Sequence, residues 1–156
     1  MNNKLYVKWN EIHKLINKFV INFKNDVDDN VIKNMDIIAI ARGGLIPATL
    51  ISYQLGIPLV YSLGVSFYHT KNAKPRFYQK LSNPPKRYML LVDDISDSGK
   101  TFQYVINYLC DNYKFDAYDS ISDFSLYKKY NTNYDPLYCG KEIKTDKWVV
   151  FPWDKD

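Results

Sequence analysis

The chain has 156 residues, of which 46% are hydrophobic and 24% charged, values that suit a single globular domain over residues 1–156. The net charge of +4 comes from lysines interspersed with aspartates, a pattern that argues against nucleic-acid binding. No apolar run approaches the roughly 20 residues that span a bilayer, and the N-terminus lacks the apolar segment of a signal peptide. We therefore expect a cytoplasmic protein with no membrane span.

The first third of the chain predicts a strand, a helix and a second strand. After a short strand, LYVKW, Asn10 is positioned to cap a helix whose apolar residues recur at helical spacing. The run DIIAIA (36–41) is short and rich in β-branched residues, which is typical of a strand buried on both faces. The apolar stripe of the helix consists of Ile12, Leu15, Ile16, Phe19, Val20 and Phe23.

The middle of the chain predicts a helix, a strand and a long loop. The helix is expected over 45–55, with Pro47 in its first turn and Gly56 at its end. The run PLVYSLGVSF (58–67) indicates a strand. Residues 68–86 are polar, basic and proline-rich, and loops of this length within a domain often cover active sites. We expect this segment to be a long loop that covers the active site.

The remaining strands and helices complete an alternating pattern. It comprises the strand YMLLVDD, a helix from about Lys100, a strand at about 118–127 and a final strand, KWVVF, whereas residues 129–147 carry no clear pattern. Strands that alternate with helices imply an α/β fold with a mainly parallel, twisted sheet flanked by helices.

Two unusual loops each follow a predicted strand and precede a predicted helix. They are Arg42-Gly43-Gly44 and the stretch 93–101. Ligands of parallel sheets bind at the carboxyl ends of the strands, near the point where the strand order reverses. We therefore expect both loops to meet at one edge of the sheet and to form a site there.

The stretch LLVDDISDSGKT (90–101) ends in Gly-Lys-Thr, which suggests a P-loop for nucleoside triphosphates. That motif requires a glycine five residues before its second glycine, and Asp94 occupies this position. Carboxylates would also repel a di- or triphosphate. A P-loop kinase is therefore disfavoured.

The acidic residues favour a ligand that carries a diol and a single phosphate. Carboxylates such as Asp93 and Asp94 accept hydrogen bonds from sugar hydroxyls and bind hard cations such as Mg²⁺. The backbone N–H groups of residues 97–101, with the Ser98 and Thr101 hydroxyls, open a helix and suit one phosphate monoester. The stretch is thus interpreted as a ribose-5-phosphate site. In the alternative interpretation, the aspartates only form turns and helix caps.

The same stretch resembles the ribose-phosphate signature of type I phosphoribosyltransferases, in which two acidic residues precede Asp-Thr/Ser-Gly-x-Thr. IIAIARGGLIPA resembles the family's pyrophosphate loop, and YVKWNEIHKLI and KWVVFPWD are similar to bacterial xanthine-guanine phosphoribosyltransferases and related 6-oxopurine enzymes. The similarity runs in order over nearly the whole chain. The Asp-Asp pair, where many hypoxanthine-guanine enzymes have Glu-Asp, favours the xanthine-guanine subgroup.

The resemblance implies roles for the residues of both loops. Asp93 and Asp94 would bind the ribose hydroxyls of phosphoribosyl pyrophosphate (PRPP), directly or through Mg²⁺. Asp97 would act as general base or hydrogen-bond acceptor near the purine N7 atom. Arg42 and Gly43 would bind pyrophosphate, where the family often has a cis peptide just before the Arg-Gly step. The 5′-phosphate would be held by Ser98, Gly99, Lys100 and Thr101.

The resemblance also implies base-binding residues near the C-terminus. Lys128 matches the lysine that donates to the purine 6-oxo group, and a shift of one residue would give this role to Lys129. Trp148 matches an aromatic residue stacked on the base, Val149 a residue whose backbone faces the base edge, and Asp154 a carboxylate near the exocyclic position. Without the resemblance, Trp148 could be a core tryptophan and Lys128 a solvated strand end.

Residues 68–86 would form a mobile hood that closes over the reaction, and residues 128–156 would form the base-binding segment. Closure would exclude water, because hydrolysis of PRPP competes with transfer. Lys74, Arg76 and Lys80 are candidates to neutralise the leaving pyrophosphate.

The resemblance implies a Mg²⁺-dependent purine phosphoribosyltransferase, expected to be a homo-oligomer (dimer or tetramer). It would join guanine, xanthine or hypoxanthine to PRPP and release the nucleoside 5′-monophosphate and pyrophosphate. Two alternatives keep the fold: an enzyme with a non-purine acceptor, and a non-catalytic regulator that binds PRPP. The regulator would be expected to carry an appended nucleic-acid-binding element or a broad basic face.

Overall fold

Two sheets and four helices make up the part of the chain that the computed structural model describes, which is residues 3–67, 75–81, 86–114, 116 and 119–154. The elements in chain order are β1 (Lys4–Tyr6), α1 (Trp9–Asp26), α2 (Asp29–Lys33), β2 (Met35–Ala41), α3 (Leu45–Leu55), β3 (Val60–Ser66), β4 (Arg76–Gln79), β5 (Tyr88–Ser96), α4 (Lys100–Tyr113), β6 (Ile121–Lys129), β7 (Tyr138–Ile143) and β8 (Trp148–Val150).

The large sheet has six strands in the order β4-β3-β2-β5-β6-β7, and the small sheet pairs β1 with β8. Every pairing is parallel except that of β4 with β3. Within the described residues, no helix is long and apolar enough to cross a membrane.

Hydrophobic residues are buried on both faces of the large sheet because alternate residues of its central strands point to opposite sides. On one face, Ile37, Ala39 and Leu90 join a core formed with α1 and α3. On the other face, Ile38 and Met89 belong to a core with α4. The expected α/β fold, with a mainly parallel sheet flanked by helices, is confirmed.

The topology places a crevice between the carboxyl ends of β2 and β5. These two strands are neighbours in the sheet, and the chain continues from β2 to β3 on one side and from β5 to β6 on the other. Strand order therefore reverses between them, which is where α/β sheets bind ligands. Both loops singled out in the sequence begin at this edge.

The helices were largely predictable, with one correction. Helix α3 spans Leu45–Leu55 as expected, and Gly56 ends it in the left-handed region with a φ of 69°. Helix α1 begins at Trp9, so Asn10 lies within its first turn and the prediction that Asn10 caps it is wrong. The preceding residue, Lys8, makes no side-chain capping bond, because its ammonium group has no acceptor for the N–H groups of the helix.

Three strand assignments also differ from the sequence prediction. Strand β4 lies within the segment expected to be a loop (68–86), and β7 lies within the unassigned segment (129–147). Both are edge strands with mostly exposed or half-exposed residues, which explains why neither shows a clear apolar pattern. The final strand, β8, pairs with β1 in the small sheet and not with the large one.

Candidate active site

The loops after β2 and β5 meet at Gly43 and Asp94. A Cβ atom added at Gly43 would lie 2.0 Å from Oδ2 of Asp94 and 2.3 Å from its Cγ. Only a residue without a side chain allows the carboxylate to approach this closely. The expectation that the two loops meet at one edge of the sheet is therefore confirmed by this close approach.

The Arg-Gly-Gly turn is built tightly against the sheet. The peptide bond between Ala41 and Arg42 is cis, at the position where the family resemblance led us to expect one. A Cβ atom added at Gly44 would lie 2.2 Å from the Val92 carbonyl oxygen, so this glycine packs against backbone. Arg42 itself is exposed at the edge of the crevice.

Asp93 and Asp94 form an acidic pair at the end of β5. Asp93 is only 7% exposed, and one of its carboxylate oxygens accepts a hydrogen bond of 2.9 Å from the Asp94 N–H. Burial, and then the charge of Asp94, raises the pKa of Asp93 well above its ordinary value. Burial, with a smaller contribution from the charge of Asp154, raises the pKa of Asp94 to about 6. Two desolvated carboxylates in contact favour a cation or hydroxyl donors beside them.

A cavity of about 240 Å³ opens beside this pair. Its far wall is the turn that leads into α4, where Gly99 precedes the first helical residue, Lys100, with a φ of 79°. The first N–H groups of a helix have no partner within the helix, so this end of α4 suits an anion. The cavity is lined by Asp93, Asp94, Ile95, Ser96, Asp97, Ser98, Gly99, Thr101 and Phe102.

The two adjacent lysines at the end of β6 point to different partners. Nζ of Lys129 lies 3.0 Å from Oδ1 of Asp97. Nζ of Lys128 forms ion pairs of 2.5 Å with Asp135 and 3.5 Å with Glu142. The structure thus brings Lys129 next to Asp97, and the assignment of Lys128 to the base stays a prediction.

Comparisons with known proteins identify the family. The family model for the phosphoribosyl transferase domain matches residues 6–155. The chain belongs to the phosphoribosyltransferase family. It is therefore an enzyme of the pentosyltransferase class, as the resemblance in the sequence implied.

The chain is similar to curated xanthine-guanine phosphoribosyltransferases and to a solved purine phosphoribosyltransferase. The chain is 31% identical over 121 residues to the xanthine-guanine phosphoribosyltransferase of Desulfotalea psychrophila, covering 77% of this chain and 70% of that one. It is 28% identical over 155 residues to the enzyme of the same name from Cereibacter sphaeroides, covering 96% and 86%. A solved purine phosphoribosyltransferase from Pyrococcus horikoshii superposes with a TM-score of 0.80 at 31% identity, covering 99% and 95%.

The residues expected to bind the base in a phosphoribosyltransferase lie in the C-terminal part of the chain. Trp148 is 66% exposed, which excludes the alternative that it is a core residue. The Val149 side chain is buried in the core next to β1. Asp154 accepts a hydrogen bond of 2.9 Å from the Phe151 N–H. Its negative charge contributes to the raised pKa of Asp94.

The three basic residues considered for the leaving pyrophosphate, Lys74, Arg76 and Lys80, differ in their position relative to this phosphoribosyltransferase site. Arg76 pairs with Ser66 at the carboxyl edge of the sheet, whereas Gln79, and hence Lys80, lies further from that edge. Lys74 lies outside the described residues. The register therefore favours Arg76 over Lys80 as a contact of the leaving group, and the mobility of the hood stays a prediction.

Sequence analysis assigned no role to residues 130–137, which connect β6 to β7. The structure places them directly behind the turn 96–99, where Asn133 N–H donates to the Ser98 carbonyl at 3.2 Å. No local motif marks this segment. The segment lies behind the turn because β6 pairs with β5 on one side and with β7 on the other, which a local sequence pattern does not reveal.

Proposed function

We propose that the protein is a Mg²⁺-dependent phosphoribosyltransferase that transfers the phosphoribosyl group of PRPP to a 6-oxopurine, namely guanine, xanthine or hypoxanthine. The observation that carries this proposal is the acidic pair Asp93–Asp94, in contact with Gly43 on one side and continuous with the helix N-terminus at Gly99 on the other. The names of the relatives from Desulfotalea psychrophila and Cereibacter sphaeroides support a purine acceptor.

The acidic pair fits a magnesium ion. Mg²⁺ is usually held by one or two carboxylates together with water and substrate oxygens, and within the described residues no cluster of three or more metal-binding side chains exists. Asp93 and Asp94 would hold the ion jointly with the ribose hydroxyls and pyrophosphate. When bound, it would supply positive charge to the leaving group.

The side chains of the two loops orient PRPP. The Ser98 and Thr101 hydroxyls and the N–H groups from Gly99 onward hold the 5′-phosphate at the start of α4. Arg42, exposed at the crevice, donates to the pyrophosphate as it departs. Lys100 adds positive charge at the same end of the helix. Most of the rate enhancement then comes from orientation and charge rather than from covalent catalysis.

The base occupies the side of the crevice nearest to the C-terminal part of the chain. Asp97 accepts the proton or hydrogen bond of N7, and the neighbouring Lys129 ammonium stabilises its negative charge. Trp148 stacks on the base, Lys128 donates to the 6-oxo group, and Val149 offers its backbone to the base edge. To reach the base, Lys128 would exchange its ion pairs with the exposed carboxylates Asp135 and Glu142 for the 6-oxo group. Asp154 contacts the exocyclic position.

The proposal is tested by initial rates with PRPP, Mg²⁺ and a panel of acceptors: guanine, xanthine, hypoxanthine, adenine and uracil. We expect mononucleotides from at least one 6-oxopurine, no turnover of uracil, and loss of activity when Mg²⁺ is chelated. Turnover of uracil alone would point to a non-purine acceptor. PRPP binding without turnover of any acceptor would point to a regulator.

A single variant tests the proposed base-side role of Asp97. Asp97→Asn keeps the size of the side chain and removes its basicity, so kcat should fall by about 100-fold or more while the Kd for PRPP changes little. An equal loss in both quantities would contradict the role.

A further inference from the structure

The rear of the phosphate loop, here defined as the side of residues 96–99 that faces away from the cavity, is held by the segment 130–137. Asn133 N–H donates to the Ser98 carbonyl at 3.2 Å. The Ser96 hydroxyl donates to the Tyr134 carbonyl at 3.2 Å and lies 3.1 Å from the Thr132 hydroxyl. The phosphate loop therefore has a second layer of backbone behind it.

Gly99 makes this contact unusually close. A Cβ atom added there would lie 2.5 Å from the Tyr134 nitrogen and 2.8 Å from Oγ1 of Thr132. The φ of 79° independently favours glycine. The position of Tyr134 thus limits how far the loop can move away from the cavity. Residue 99 must be glycine because a side chain there would collide with the segment behind the loop.

Tyr134 is itself anchored by two contacts in the core. Its ring stacks on Phe102 of α4, with centroids 5.4 Å apart and planes 13° apart. Its hydroxyl donates a short hydrogen bond to the carboxylate of Asp123, which is only 1% exposed. The other carboxylate oxygen of Asp123 accepts a bond of 2.6 Å from the Leu137 N–H. One buried carboxylate therefore fixes the segment at two points.

We propose that Tyr134, held by Asp123, is a positioning residue for PRPP: it sets the place of the 5′-phosphate loop from behind. The inference rests on the proposed function, because it takes residues 98–101 as the phosphate-binding turn. N–H donors aimed at a phosphate bind well only if the backbone that carries them is already in place. The contacts from Asp123 through Tyr134 to Gly99 provide that support without touching the ligand.

The test removes one hydroxyl. Tyr134→Phe keeps the ring on Phe102 and leaves an oxygen of buried Asp123 without its donor, so the segment should shift. By isothermal titration calorimetry, we expect the Kd for PRPP to rise about tenfold. By initial rates, we expect the KM for the purine to change less than about twofold, since Trp148, Val149 and Asp154 lie outside both the loop and the segment behind it. A displacement of Asp97, which lies in the loop, would lower kcat instead.

Tyr138→Phe is the matched control. The Tyr138 hydroxyl also faces a carboxylate, with 3.4 Å to Oδ2 of Asp26, but its ring packs on Phe19 and Phe23 of α1 on the opposite face of the sheet. This variant should bind PRPP like the wild type. Should Tyr134→Phe fail to fold, Ser96→Ala removes only the hydroxyl that joins the loop to the Tyr134 carbonyl, and it should weaken PRPP binding in the same direction.

Several outcomes would overturn the inference. A Kd for PRPP that is unchanged in Tyr134→Phe, or raised equally in Tyr138→Phe, would reject it while leaving the proposed function intact. A purine KM that rises as much as the Kd for PRPP would indicate general loosening and would also reject it. If the wild type itself did not bind PRPP, the proposed function and the inference would both fail.

Discussion

Alanine at Gly43 is expected to remove most of the activity and leave the protein folded. The new Cβ atom would lie 2.0 Å from Oδ2 of Asp94, and ordinary contact begins at 3.4 Å, so the carboxylate must retreat by about 1.4 Å. A displacement of about 1 Å in an active site can cost about 100-fold in rate. We therefore expect kcat/KM for PRPP to fall about 100-fold, equivalent to about 2.7 kcal/mol.

Two other glycines provide controls for this variant. At Gly44 the added Cβ atom would lie 2.2 Å from the Val92 carbonyl and 2.8 Å from the Ile40 carbonyl, which are backbone atoms of the core strands, so Gly44→Ala should unfold the protein. At Gly56 no atom lies within 4 Å, but the φ of 69° disfavours alanine by about 1–2 kcal/mol. Gly56→Ala should lower the melting temperature and leave activity unchanged.

The assay combines thermal unfolding, PRPP titration and initial rates for the wild type and the three variants. Gly43→Ala should melt close to the wild type but lose activity. Wild-type activity in Gly43→Ala would show that the position of Asp94 does not matter for the reaction. A melting temperature that falls together with activity would show that the glycine serves the fold alone.

Three further predictions concern individual side chains. Because burial raises the pKa of Asp123, the folded protein binds the proton of this carboxyl group more tightly than the unfolded chain does. As the pH rises above about 4, the free energy of unfolding of the wild type should therefore fall relative to that of Asp123→Asn. Urea titrations in which the two free energies differ by the same amount at pH 4 and pH 7 would contradict this. Lys128→Met should raise the KM for the purine about tenfold. Lys129→Met, which removes the ammonium 3.0 Å from Asp97, should mainly lower kcat. If the two variants had the same kcat and the same KM for the purine, the separate roles of the two lysines would be refuted. Trp148→Ala should raise the purine KM about tenfold and Trp148→Phe much less, since stacking on a base contributes about 1–3 kcal/mol; purine titrations in which both variants match the wild type would remove Trp148 from the site.

The parts of the fold that the sequence predicted are those with strong local signals. Helix α3 carries Pro47 in its first turn and Gly56 at its end, and its predicted bounds, about 45 to 55, agree with the structure. The loops at Gly43 and Asp94 were expected to meet because each follows a buried strand, and strand order alone brings them together. The acidic signature identified the family, since its residues are contiguous.

The remaining features depend on contacts between distant parts of the chain. Strand β7 is half-exposed at the edge of the sheet and becomes a strand only by pairing with β6. Asp123 and Tyr134 are ordinary residues in the sequence, and only the core reveals that one anchors the other. The directions of Lys128 and Lys129 likewise follow from which face of β6 each occupies, which a sequence match cannot distinguish by itself.

The most direct test of the proposed function is phosphorus NMR of PRPP with Mg²⁺ and the protein, without a base and with guanine, xanthine or hypoxanthine in turn. We expect PRPP to persist without the base. With at least one of these bases, pyrophosphate and the nucleoside 5′-monophosphate should appear in equal amounts, and at a rate that depends on the concentration of the base. Conversion of PRPP to pyrophosphate and ribose 5-phosphate at the same rate with and without a base, or no conversion with any 6-oxopurine, would contradict the proposed function.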